Sequence, residues 1–93
     1  MFLAKVIGNV ISTQKNEKLI GTKLLIIKPI DEEKKILKGA PIVAIDTVGA
    51  GIDDTVLVIK GSSASVIYDD KKVPTDAAII GIVDSIEIDE KYK

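Results

Sequence analysis

Any chemistry in this chain has to come from carboxylates, lysines, hydroxyls and two tyrosines, because its 93 residues include no histidine and no cysteine. Ser-His-Asp and Cys-His mechanisms are therefore excluded, as are thiolate or imidazole metal sites. Three sets of residues still look arranged. They are the stretch "DTVGAGIDD" (Asp46–Asp54), the stretch "GSSAS" (Gly61–Ser65), and the aspartates Asp46, Asp76 and Asp84 near the ends of apolar runs.

A dinucleotide fingerprint needs Gly-x-Gly-x-x-Gly between a strand and a helix. Here Gly49-x-Gly51 is followed by Asp54 at the third glycine position, and the strand-like "TVLVIK" comes next. No helix N-terminus is offered to a phosphate, and Asp53 and Asp54 would repel one. The corner reads as a β-turn in which glycine supplies positive φ. A sharper reading adds that its small residues sit against an assembly axis. Ser62 and Ser63 have no histidine to activate them, and Lys60 beside them is adjacency, not a dyad. They are expected to cap a single helical turn, with the lining of a small opening as the second reading. Paired aspartates can do acid–base work, but the sequence gives no distance between them. Asp76, in "PTDAA", reads as a turn residue bonding nearby backbone N–H groups. Asp53-Asp54 lacks the alternating oxygens of a calcium loop. No catalytic residue, metal or cofactor is predicted, and the chain is not read as an enzyme.

Partners are narrowed by charge. The formal net charge is −1 and every basic residue is lysine, so neither a strong field nor a bidentate guanidinium favours nucleic acid. Phe2, Tyr68 and Tyr92 are too few for a base-stacking platform. "MFLAKVIGNVIS" lacks the order of a signal peptide, and "AAIIGIV" (Ala77–Val83) is far short of the roughly 20 residues of a membrane helix. A cytoplasmic protein without membrane contact is expected. With 46% hydrophobic residues in so short a chain, surplus apolar surface should be hidden against partner subunits.

The elements that would position these residues are strands, since Val, Ile and Thr dominate the ordered-looking segments. The alternation predicts strands over about Phe2–Thr13, Lys23–Ile30, Pro41–Val48, Thr55–Lys60 and Ala77–Ile88. Gly8 should bend the first or let another backbone pack closely, and Pro29 should mark the end of the second or a sheet edge. Residues 42–45 are expected to be buried on both faces. "DEEKKILKG" (Asp31–Gly39) has room for one helical turn, "VIYDDKKVPTD" is a polar loop, and "DEKYK" a loose tail. The fold class is all-β: one domain over residues 1–93, a small five-stranded barrel or sandwich.

Taken together, the motifs resemble the vertex proteins of bacterial microcompartments, the pentameric EutN/CcmL shell family of carboxysomes and of ethanolamine- or propanediol-type organelles. Gly8, Val10, Thr13 and Lys15 fit Gly-x-Val-x-x-Thr-x-Lys, and Leu19, Gly21, Lys23 and Leu24 fit Leu-x-Gly-x-Lys-Leu. Asp46, Val48, Gly49, Ala50 and Gly51 stand where the family has Asp-x-Val-Gly-Ala-Gly. Gly61–Ala64 match Gly-Ser-Ser-Ala, and Pro74, Asp76, Ala77, Ala78, Gly81 and Asp84 match the last motif. Ser65 replaces a frequent arginine, and Asp53-Asp54 a frequent Gly-Glu.

The resemblance implies an OB-like Greek-key barrel with one short helical turn. It also implies a homopentamer that caps shell corners beside hexameric shell proteins. Gly49, Ala50, Gly51, Ser62 and Ser63 are then expected near the pore or ring axis. The rival reading is an OB-type module binding single-stranded nucleic acid or oligosaccharide, which the lack of arginine and scarcity of aromatics oppose.

Overall fold

A computed structural model of the chain describes residues 1–11, 21–61, 67–68, 71–72 and 76–93. Five strands close a barrel: β1 (Phe2–Asn9), β2 (Lys23–Pro29), β3 (Ile42–Asp46), β4 (Thr55–Lys60) and β7 (Ala77–Ile82). A short ribbon of β5 (Ile67–Tyr68) and β6 (Lys71–Lys72) lies between β4 and β7 in sequence, inside the segment expected to be only a polar loop.

Around the barrel the order is β1-β2-β3-β7-β4. β4 returns to lie beside β1, so β4-β1-β2-β3 is a Greek key. β7 then closes the gap, antiparallel to β4 and parallel to β3 through Ile45↔Ala78 and Asp46↔Ile79. Closure matters physically because it leaves few exposed strand edges to template aggregation.

Alternation along each strand sends one set of side chains inward. Ala4, Val6, Leu25, Ile27, Ala44, Val56, Val58, Ala77 and Ile79 are fully buried in one cluster, with Phe2 and Ile42 packed against it. Ile45 and Ala78 face the other way and are also fully buried, whereas Val43 on the same outer face is 47% exposed. Burial on both faces therefore holds at one end of β3 only.

Local sequence explains the irregularities. The β1–β2 register shifts between Val6 and Gly8, where a side chain on Gly8 would come within 3.4 Å of Ile26 Cδ1. Glycine permits this bend, as its position within the first strand implied. The helical turn for which Asp31–Gly39 has room does not form. Instead the Asp31 carboxylate accepts the Glu33 and Lys35 N–H groups at 2.8 and 3.0 Å, and Lys34 takes φ 65°. A short polar side chain competing for local N–H groups favours such a turn over a helix. β7 ends six residues before the Ile88 limit expected from the sequence. A 3-10 turn, Glu90–Tyr92, is capped by the Asp89 side chain.

Leu25 is among the largest fully buried side chains. Leu25→Ala is expected to destabilise the fold by about 2–5 kcal/mol, read from urea unfolding at fixed protomer concentration.

Candidate assembly surface

β3 delivers Asp46 to the end of the barrel, where the residue is 4% exposed. Its carboxylate accepts three N–H groups of the following corner: Val48 at 3.0 Å and Gly49 at 3.1 Å on Oδ1, and Ala50 at 2.9 Å on Oδ2. Charge-assisted bonds of this kind offset the desolvation of a buried carboxylate. Lys23, at the start of β2, donates from Nζ to the Ala50 carbonyl at 2.6 Å and lies 3.9 Å from Asp46 Oδ2. Thr47 Oγ1 donates to the Ile79 carbonyl at 2.7 Å. The corner is thus tied to β2, β3 and β7.

This arrangement answers the phosphate question. The backbone N–H groups that would cradle an anion are already filled by the chain's own carboxylate. The second half of the corner is closed similarly, the Gly51 N–H donating to Asp54 Oδ2 at 2.8 Å. Val6 and the Asp53–Asp54 backbone then continue the β1 ladder at 2.9–3.0 Å.

The expected site residues fall differently within this frame. Gly49 has φ 80°, and nothing lies within 4 Å of where its Cβ would be. Ala50 is fully buried and belongs to the barrel core. The corner's outward surface is therefore made by Gly49, Gly51 and their flanks. Gly51 has no positive φ, and an added Cβ would meet only Asp54 Oδ2 at 3.9 Å. Ser62 and Ser63, with the helical turn they were expected to cap, lie outside the described residues. Asp53, where the family frequently has glycine, adopts φ 74°. Asp tolerates that region better than most residues.

The Asp76 carbonyl accepts the Gly61 N–H at 2.9 Å; residues 73–75, among which its carboxylate was expected to find backbone N–H groups, lie outside the described residues. Among the described residues no three acidic groups gather where they could hold a metal ion. Sequence reasoning singled out Asp46 for its place at a strand end and missed its role. The signal was available: an aspartate two to four residues before a Gly-x-Gly turn can accept that turn's N–H groups. The Lys23 contact had no local signal, being 27 residues from Ala50.

Part of the exposed surface is aliphatic: Val43 on β3 and Ile80 on neighbouring β7 are exposed, as is Ile82 at the end of β7, and Val48 and Ile52 (50% exposed) flank the glycines. The chain alone exposes 6201 Å². A folded monomer of its mass would expose roughly 5,200 Å². Covering a few hundred Å² of such surface is worth several kcal/mol at about 25 cal/mol per Å².

Removing the Asp46 carboxylate strands three corner N–H groups. Asp46→Ala should lower stability by about 3 kcal/mol or more, and Asp46→Asn by less, in urea unfolding at matched protomer concentration.

Comparison with known proteins identifies the family. Residues 1–84 match the family model described as "Ethanolamine utilisation protein EutN/carboxysome". The chain is 41% identical to the carboxysome shell vertex protein CcmL of Nostoc sp., over 98% of this chain and 90% of that one. It is 49% identical to the bacterial microcompartment shell vertex protein GrpN of Rhodospirillum rubrum, over 94% and 97%. The solved structure of Nostoc sp. CcmL superposes with a TM-score of 0.86, covering 97% of this chain and 94% of that chain at 43% identity. The GrpN structure, described as a pentameric microcompartment shell protein, gives 0.80 at 46% identity, covering 95% of this chain and all of its own. The barrel, the aspartate-held corner and these matches together make the chain a member of the EutN/CcmL family.

Proposed function

We propose that this chain forms a homopentamer that caps the vertices of a polyhedral microcompartment shell in the bacterial cytoplasm, beside hexameric shell proteins. The observation that carries the reading is the aliphatic outer face of a closed barrel, in a chain whose relatives are named shell vertex proteins. Head-to-tail contacts between copies close into a ring when the rotation permits, and they would cover this face. Hexagonal units alone tile a flat sheet, and pentagonal ones let it curve shut. The role is containment and closure, with no substrate turned over. An OB-type binding module is not favoured, because the corner's donors already hold Asp46.

In this reading Gly49, Ala50, Gly51, Ser62 and Ser63 approach the ring axis. The glycine corner precedes β4 and Gly61 follows it, so they sit at opposite ends of a six-residue strand. The corner and Gly61 both reach one axis only if β4 runs along it, with the two roughly 17–20 Å apart in depth. Smallness at the corner would then serve the neighbouring copies, since the isolated chain has room for a side chain at Gly51.

Gly51→Gln tests that placement. It should leave the barrel folded by circular dichroism yet abolish the pentamer in light scattering; a variant that stays pentameric would remove the corner from the axis. Co-expression with hexameric shell proteins tests the function itself. Closed particles are expected with this chain and open-cornered ones without it, whereas particles that close equally well in its absence would contradict the vertex role.

A further inference from the structure

Apolar–polar alternation runs to Ile88, but the barrel ladder stops at Ile82. The last bond back to the barrel is from the Val83 N–H to the Thr55 carbonyl, at 2.8 Å. Beyond it, the backbone N–H and C=O groups of Asp84–Ile88 make no hydrogen bond to any described residue. Ile86 and Ile88 are half-buried while Glu87 and Asp89 are exposed, so the segment keeps the two-faced character of a strand. An open groove of about 930 Å³ lies between the segment and Glu32 and Glu33.

We propose that Asp84–Ile88 is the outer half of a strand whose partner is a second copy of this chain. Resting on the pentamer reading, the proposal names the segment that joins one protomer to the next. An extended segment with unsatisfied backbone groups and alternating side chains binds by strand addition. The main-chain bonds supply affinity, and Ile86 and Ile88 supply the side-chain fit. The same segment reaching from each protomer to the next is a head-to-tail contact, the kind that closes a ring. The solved pentameric relative is consistent with this. Its match leaves about 5% of 93 residues outside, roughly five, so the shared span runs at least to Ile88.

Hydrogen–deuterium exchange on the full chain tests the proposal. In assembled protein the amides of residues 85–88 should exchange about tenfold or more slowly than in protein diluted to monomer, the factor that goes with one ordinary hydrogen bond. A chain ending at Val83 and the double variant Ile86→Asp/Ile88→Asp should both keep the barrel by circular dichroism. Both should need about tenfold or more protein to assemble, a change of about one hydrogen bond per contact. Intact wild-type rings with fast-exchanging tails, or rings unaffected by the truncation, would overturn the tail's role and leave the vertex function standing. A wild-type chain that never assembles would overturn the vertex function, and the proposal with it.

Discussion

The limited interior of a five-stranded barrel governs the rest of this structure. Alanine and valine occupy much of it: Ala4, Ala44 and Ala77 line the wall with Val6, Val56 and Val58, leaving space for Leu25, Ile27 and Ile79. A chain that is 46% hydrophobic carries more aliphatic side chains than this space admits. The remainder, among them Val43 and Ile80, is left exposed. Closure of the ladder protects most strand edges, so the surplus apolar surface is offered mainly through side chains on a rigid wall. Such a wall suits lasting side-by-side contact between subunits better than the capture of a small ligand.

Asp46 solves a second problem, which is to turn the chain sharply at the barrel's end without bulky residues. Its carboxylate takes three consecutive N–H groups, and Lys23 holds the Ala50 carbonyl from another strand. Ala50 drops into the core as a plug. The corner is small, stiff and chemically satisfied at once. The same feature that resembles a phosphate cradle in the sequence is, in three dimensions, one already filled.

Much of this was legible in the sequence where periodicity decided the outcome. Thr55–Lys60 is legible to the residue because a short run rich in β-branched residues stands there between turn-forming neighbours. Positive φ at Gly49 and Asp53 followed from turn chemistry and from a departure from the family motif. Other features depend on partners far along the chain and could not be read locally. The Lys23–Ala50 bond is one, and the two-residue ribbon β5–β6 is too short to show a period. The last strand was drawn too long because Ile86 and Ile88 keep the right alternation, while ladder pairing needs a neighbour that a single copy does not provide.

The central claim is that the barrel's outward aliphatic face is covered by copies of the same chain arranged as five. Native mass spectrometry of the purified wild-type protein at micromolar concentration measures this most directly. The account predicts a single dominant species at five times the 10.0 kDa protomer mass. A stable species at one protomer mass, or a closed ring of any other number, would contradict it.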